Sequence, residues 1–108
     1  MDNIEKIVEL GTKQLSFFSS GKTKDIRFRK RSLCWLKESI RNNDKRIAEA
    51  LRKDLNKSSF EAYATETGLV LHELRTHINN ISGWARPKKV GTPLFAMLSK
   101  SRIYTEPY

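Results

Sequence analysis

The chain lacks cysteine pairs, long apolar runs and a leader-like beginning. Its 108 residues include one cysteine, Cys34, which excludes an intrachain disulfide and gives no indication of an oxidising compartment. No window approaches about 18 consecutive apolar residues, and the first residues do not combine a basic start with an apolar stretch. We therefore expect no spanning segment, no membrane partner and a cytoplasmic location.

The residues that are present favour a helical, charged domain. Hydrophobic residues make up 38% of the chain and charged residues 31%, and the hydrophobic ones are regularly spaced, unlike those of disordered chains. The net charge is +9, and most of the excess lies between Gly21 and Lys57, where thirteen basic and five acidic residues give +8. An excess of this kind is compatible with an anionic partner.

Helical periodicity covers the first four fifths of the chain. A capping box at Asp2 and Glu5, and Gly21 as a left-handed terminator, set the limits of the first helix. A break at Asn43 separates the second helix from the third, because asparagine side chains compete for backbone hydrogen bonds. A second capping box, Ser58-x-x-Glu61, begins one long helix that Gly83 and then Pro87 close. The predicted helices are Asn3–Ser19, Asp25–Arg41, Asn43–Asp54 and a final one that begins after the Ser58 capping box and is closed by Gly83 and then Pro87.

The last part of the chain has no helical periodicity. Prolines and a glycine interrupt it, and residues 101–106 contain the strand-forming run Ile103-Tyr104-Thr105. We expect this strand to be unpaired. A lone strand cannot satisfy its own backbone hydrogen-bonding groups. The prediction is a mainly α chain of three to four antiparallel helices in residues 1–86, with an extended connection in residues 87–108.

Four stretches, taken together in order and spacing, resemble the N-terminal region of class 3-like aldehyde dehydrogenases, which are NAD(P)-dependent enzymes. The resemblance covers essentially the whole chain. It departs from the family pattern at Phe95-Ala96-Met97-Leu98, where we expect a more polar or proline-containing stretch, and this leaves the substrate subclass open. The four stretches are Phe17–Lys24 with Phe28-Arg29; Asp54–Ser58 with Phe60–Tyr63 and Thr65-Glu66; Trp84 with Pro87–Val90 and Thr92–Leu94; and Ser99–Ser101 with Ile103-Tyr104 and Glu106–Tyr108.

The resemblance implies the N-terminal part of the α/β aldehyde dehydrogenase fold, a helical unit packed on a dinucleotide-binding domain. The parent enzyme oxidises aldehydes to carboxylic acids through a cysteine thiolate, a glutamate base and NAD or NADP. In the family these groups all follow the position of Tyr108. We therefore expect no catalytic, cofactor-binding or metal residue in this chain, no bound cofactor and no activity. The expected partners are the remainder of the subunit and other copies of the chain.

Two residue types invite a catalytic or metal interpretation. Cys34 lies inside a predicted helix rather than in the later segment that holds the family nucleophile, so a structural or incidental thiol is the favoured interpretation. His72 and His77 are five residues apart, which places them about 140° apart around one helix. Histidines four apart would share a face, whereas these two are expected not to share a metal ion.

The basic run from Arg27 to Arg31, with Lys22 and Lys24 before it, leaves two alternatives open. It is compatible with a nucleic-acid-binding module, although no groove-reading motif surrounds it, and we do not expect nucleic acid as a partner. A helical oligomerisation module without an enzyme attached is the second alternative. A solvated helix face is the favoured interpretation, because Arg27, Lys30 and Arg31 lie away from the apolar stripe.

Overall fold

A computed structural model describes residues 3–108 of the chain. The described part is mainly helical and ends in a small two-stranded sheet; the helical character is as predicted. Asp2, the first half of the predicted N-terminal capping box, lies outside the described residues. The elements, in chain order, are α1 (Asn3–Ser19), a 3-10 turn (Lys22–Lys24), α2 (Ile26–Asn42), α3 (Asp44–Leu55), α4 (Ser59–Ala62), a π turn (Tyr63–Thr67), α5 (Gly68–Trp84), β1 (Lys88–Val90), a second 3-10 turn (Leu94–Ala96) and β2 (Ser101–Ile103).

Local interactions mark the end of α1, the start of α2 and the break between α2 and α3. Gly21, two residues after the last residue of α1, adopts the left-handed conformation, φ 73°, as predicted. The Oδ1 atom of Asp25 accepts a hydrogen bond from the backbone N–H of Arg27 at 2.9 Å, which begins α2. At the break between α2 and α3, the Asn43 side chain donates to the carbonyl of Ser39 at 2.8 Å. The predicted bounds therefore agree with the observed ones to within one residue.

The last helix differs from the prediction of one uninterrupted element. The Ser58–Glu61 capping box is present with both of its hydrogen bonds, but a π turn separates α4 from α5. The N–H of Gly68 donates to the carbonyl of Tyr63, five residues earlier, and a β-carbon on Gly68 would lie 2.5 Å from that oxygen. A residue without a side chain is therefore required there. α5 ends at Trp84, between Gly83 and Pro87, the two residues that the sequence predicts to close the helix.

The C-terminal segment corrects the prediction of an unpaired strand. β2 pairs with β1 in an antiparallel register in which Lys88, Lys89 and Val90 face Ile103, Arg102 and Ser101. The observed strand is also shorter than the predicted 101–106, and a 3-10 turn lies in the connection. The chain supplies its own partner strand because the segment just after α5 is also extended. The prediction missed it because Lys88–Val90 is too short and too polar to give a strand signal.

The chain divides into two compact units. One comprises the described residues 3–29 together with Ser82–Tyr108, and the other is Lys30–Ile81. Among the described residues the buried ones all belong to the second unit, at α4, the π turn and α5: Ala62, Thr67 and Leu74. The sequence-based division into residues 1–86 and 87–108 follows secondary structure rather than compactness and stays a prediction.

Candidate functional site

The second unit contains a cleft of about 390 Å³ beside the π turn. Three cations and one imidazole contribute to its wall, together with a single carboxylate. Its residues come from every element of the unit except α4: Lys37 and Arg41 from α2, Asp44 from α3, Tyr63 from the π turn, and Gly68, Leu71, His72 and Arg75 from α5.

A polar network holds the π turn that forms one side of this cleft. The Lys57 ammonium donates to Thr65 Oγ1 at 3.1 Å and to Glu66 Oε1 at 2.5 Å. The Thr65 hydroxyl in turn donates to the carbonyl of Glu61 at 2.8 Å. These bonds tie the loop before α4 to the π turn. Tyr63 is thereby positioned over Gly68, whose missing side chain leaves room for its ring.

The chemistry available to this cleft is anion binding. Arg41 is paired with Glu38 at 3.5 Å, whereas neither Lys37 nor Arg75 has an ion-pair partner within residues 3–108. Unpaired lysine and arginine side chains are typical of sites for carboxylates and phosphates. No serine or cysteine lines the cleft, so it offers no activated nucleophile of the kind that acyl transfer needs.

The cysteine and the two histidines considered in the sequence have separate surroundings. Cys34 is a free, exposed thiol in the middle of α2. His72 lines the cleft, while the Nδ1 atom of His77 lies 2.9 Å from the carbonyl oxygen of Glu73 one turn earlier. Within the part of the chain that the structure describes, no three histidine, cysteine, aspartate or glutamate side chains cluster as metal ligands. That no metal site exists stays a prediction.

The basic run from Arg27 to Arg31 is not a uniform surface. Arg27 and Arg31 are exposed at the two ends of the run, as predicted for a solvated face. Arg29 is half-buried, and its Nη2 atom donates to the carbonyl of Lys24 at 3.2 Å. The side chain of Arg31 lies 6.0 Å from the Trp35 ring centroid. Arg29 therefore takes part in a local hydrogen bond. That the other cations of the run do not bind nucleic acid stays a prediction.

In the first unit, two of the stretches that carry the family resemblance meet at the 3-10 turn after α1. The Phe17 and Phe28 rings are 5.7 Å apart, and the Lys22 ammonium lies 5.8 and 5.7 Å from their centroids. Lys24 forms an ion pair of 3.1 Å with Glu106 in the final segment. These contacts join residues distant in sequence, and they give the two lysines structural roles.

The β1–β2 hairpin presents a second feature that sequence reasoning did not single out. Its strands carry three cations, and the connection between them carries one more together with a run of exposed apolar side chains. A cleft of about 200 Å³ lies between strand residues and connection residues. Two signals in the sequence were available: the net positive charge of the segment from residue 87 onwards, and the basic residues on both sides of an apolar run. The four cations are Lys88, Lys89, Lys100 and Arg102.

Comparisons with known proteins give one consistent result. No protein-family model matches the chain. The chain is 42% identical over 93 residues to the 4,4'-diaponeurosporen-aldehyde dehydrogenase of Staphylococcus aureus, covering 86% of this chain and 20% of that protein. It is 33% identical over 109 residues to aldehyde dehydrogenase family 3 member F1 of Arabidopsis thaliana, covering 100% of this chain and 22% of that protein. The dimeric NADP-preferring aldehyde dehydrogenase of Canis lupus familiaris is 32% identical, with 96% and 23% covered.

A solved structure agrees with these relatives. The substrate-bound state of Staphylococcus aureus AldH superimposes with a TM-score of 0.87 at 38% sequence identity, over 99% of this chain and 23% of that one. The chain therefore spans about a fifth of the length of the relatives it matches. Among residues 3–108, no helix is both long and apolar enough to cross a membrane.

Proposed function

The chain is homologous to class 3-like aldehyde dehydrogenases over about a fifth of their length, and from this we propose that it is helical scaffolding for an enzyme of that class. In this proposal the chain supplies none of the catalytic residues. The observation that carries the proposal is the combination of a TM-score of 0.87 with a coverage of only 23% of the matched structure. Most of such an enzyme therefore corresponds to nothing in these 108 residues.

The apolar face of α1 supports a scaffolding role. Its aliphatic side chains Ile4, Ile7, Val8 and Leu15 are 63–67% exposed. Burying one such side chain stabilises a protein by about 1.5–3 kcal/mol, so a folded enzyme gains when its remainder covers this face. We propose that the remainder of an aldehyde dehydrogenase subunit is that cover.

The activity of the whole enzyme is part of the proposal. An enzyme containing this segment would oxidise aldehydes to carboxylic acids with NAD or NADP, through a cysteine nucleophile located outside this chain. In this proposal Cys34 is not that nucleophile, because the resemblance places the family nucleophile in a later segment, whereas Cys34 is an exposed thiol in the middle of α2. The cytoplasmic location likewise stays a prediction.

Turnover by the purified chain provides the first test. With NAD+ or NADP+ and a series of short and long aldehydes, we expect no formation of reduced cofactor above that of a heat-denatured sample. Substitution of Cys34 by serine should leave this baseline unchanged. Cofactor reduction that disappears with Cys34→Ser would contradict the proposal.

Complementation provides the second test. Staphylococcus aureus AldH lacking the matched segment should recover activity when coexpressed with this chain, because the chain replaces the missing scaffold. The variant Ile4→Ser/Val8→Ser should lower that recovery at least about tenfold, since two buried aliphatic side chains are lost. The control Lys6→Ser/Lys13→Ser changes the same helix outside the apolar face and should recover activity to within about twofold. Equal recovery by both variants would show that the α1 face is not the contact.

A further inference from the structure

The π turn between α4 and α5 leaves one buried hydroxyl without a partner. Thr67, the last residue of this turn, is 5% exposed, and its Oγ1 atom has no hydrogen-bond partner among residues 3–108. A buried hydroxyl that makes no hydrogen bond destabilises the state that contains it. Because residues of the chain itself bury Thr67, this cost is present whatever else contacts the chain.

Two threonines in regular helices of the same chain satisfy their hydroxyl groups. The hydroxyls of Thr12 in α1 and Thr76 in α5 each donate to the carbonyl oxygen four residues earlier, at 2.9 Å and 3.2 Å. An α-helix places an acceptor for a threonine hydroxyl at that position. The corresponding acceptor for the hydroxyl of Thr67 is the carbonyl oxygen of Tyr63.

The π turn prevents the bond between these two groups. The carbonyl of Tyr63 accepts the backbone N–H of Gly68, five residues later. A π turn contains more residues per turn than an α-helix, so the residue four positions on no longer lies over the acceptor. In an α-helical form of the same segment, the N–H of Gly68 would donate to Ala64, and the Thr67 hydroxyl would reach Tyr63. The unpaired hydroxyl is thus a consequence of the extra residue in this turn.

An ion pair holds the turn in the observed form. The Lys57 ammonium, on a side chain that is 25% exposed, lies 2.5 Å from the Glu66 carboxylate and donates to Thr65 Oγ1 at 3.1 Å. Both partners belong to the turn, whereas Lys57 precedes α4. Ala62, at 1% exposed, also favours this form through its burial. The ion pair and Ala62 therefore stabilise the π turn, and the hydroxyl of Thr67 opposes it.

We propose that residues 63–67 form a two-state segment that the ion pair between Lys57 and Glu66 holds in the π form. In the second state, residues 59–84 form one continuous α-helix. One residue of α-helix corresponds to a rotation of about 100° and a shift of about 1.5 Å, so the turn and α4 move by this amount relative to α5. The movement separates Glu66 from Lys57 and lets the Thr67 hydroxyl donate to the carbonyl of Tyr63.

The movement changes the wall of the 390 Å³ cleft in the same unit. Tyr63 and Gly68 both line that cleft, and a β-carbon on Gly68 would lie 3.3 Å from two atoms of the Tyr63 ring. Because Tyr63 belongs to the turn and Gly68 to α5, the second state withdraws the ring from Gly68. The ion pair thereby controls the shape of the cleft. This goes beyond the scaffolding role, because it gives the segment a conformational function.

Nuclear magnetic resonance of the labelled 108-residue chain tests the proposal, at a concentration at which sedimentation velocity shows monomers. Relaxation dispersion and saturation transfer detect minor states, and we expect exchange confined to residues 59–68. In the major state, the scalar coupling across the hydrogen bond of the Gly68 amide should identify Tyr63 as its acceptor. In the minor state, the carbon chemical shifts of residues 63–67 should be those of a regular α-helix. Absence of exchange at these residues, in the unmodified chain and in Lys57→Gln, overturns the proposal.

Two substitutions should shift the population of the minor state in opposite directions. Lys57→Gln should raise it at least about fivefold, because the ion pair is lost. Thr67→Val should lower it by about the same factor, because valine has no hydroxyl to donate to Tyr63. The matched controls are Lys53→Gln, which removes the same charge from α3, and Thr76→Val, which removes a threonine hydroxyl from α5. Both controls should stay within about twofold, and a Lys57→Gln population equal to theirs contradicts the proposal.

Two further measurements distinguish this exchange from other motions. Added salt should raise the minor population of the unmodified chain, because screening weakens the ion pair, and should not raise that of Lys57→Gln. An equal response of both chains would show that the ion pair does not hold the turn. Low concentrations of urea should leave the population unchanged, because both states are folded and bury similar surface. Exchange that grows with urea throughout α2 and α5 would be unfolding, and the proposal would fail.

Discussion

A β-carbon added to Gly68 would lie 2.5 Å from the carbonyl oxygen of Tyr63, closer than such atoms approach in folded proteins. The nearest neighbour is backbone, so the π turn itself would have to shift. At Gly83, in the same helix, an added β-carbon has nothing within 4 Å. The two glycines of α5 thus differ in steric surroundings while sharing helical backbone.

This difference predicts opposite effects of the same substitution. Gly68→Ala should lower the free energy of unfolding by about 1–3 kcal/mol, because overpacked sites shift or strain the backbone. Gly83→Ala should raise it by about 0.5–1 kcal/mol, because alanine loses less conformational freedom in a helix. Urea denaturation followed by circular dichroism measures both. A stabilised Gly68→Ala would mean that the close approach at Tyr63 does not exist in solution.

The ion pair between Lys57 and Glu66 is the second residue-scale feature with a measurable consequence. Their side chains are 25% and 43% exposed, whereas those of Glu9 and Lys13, paired on α1, are 48% and 68% exposed. Shielding from solvent reduces dielectric screening of an ion pair. Double-mutant cycles with glutamine should give a coupling of about 1 kcal/mol for Lys57–Glu66 and about 0.3–0.5 kcal/mol for Glu9–Lys13. Equal couplings would indicate that the network does not hold the π turn.

At the scale of elements, Gly21 decides where α1 ends. Its φ of 73° lies in the left-handed region, and an added β-carbon there meets no atom within 4 Å, so the cost of a side chain is conformational rather than steric. Gly21→Ala should therefore destabilise the chain by about 1–2 kcal/mol. Gly21→Asn should cost less, because asparagine tolerates this conformation. Thermal denaturation compares the two, and equal losses would place the effect in side-chain contacts instead.

The hairpin is the element whose stability depends most on its surroundings. A two-stranded sheet alone is marginal in water, and this one is only three residue pairs long. Its register also places Lys89 opposite Arg102. A neighbouring third strand would stabilise it.

At the scale of the whole molecule, exposed apolar surface predicts self-association of the isolated chain. The apolar face of α1 has no cover within residues 3–108, and contacts between such faces bury it without specificity. Sedimentation velocity and light scattering should show polydisperse species that grow with concentration. Ile4→Ser/Val8→Ser should reduce them. A single sharp oligomer would favour the alternative of a dedicated oligomerisation module.

One expected contribution to self-association is removed by the structure. β2 is paired with β1, so the chain does not expose a solitary strand, although each strand of the pair retains one free edge. Association of the isolated chain is now expected from the apolar face of α1 rather than from an unpaired C-terminus. Likewise, a larger enzyme body is inferred from the partial coverage of the relatives and not from the end of the chain.

What the sequence by itself determined was local. Helix limits at Gly21, Asp25, Asn43 and Ser58 follow from caps and from left-handed or competing residues, whose effects act within about one helical turn. The apolar spacing correctly placed the inward side of α5, where Leu74 is buried. The family resemblance was likewise evident, because it depends on the order of short stretches.

Only the tertiary structure decided the features that join distant residues. The Tyr63–Gly68 contact, the pairing of Lys88–Val90 with Ser101–Ile103 and the Lys24–Glu106 ion pair each need a fold before they exist. The cleft of Lys37, Arg41 and Arg75 draws its cations from two helices, so periodicity within one helix does not reveal it. Sequence patterns report a residue's preference for its own backbone state, whereas strand pairing and charge clustering depend on which segments meet in space.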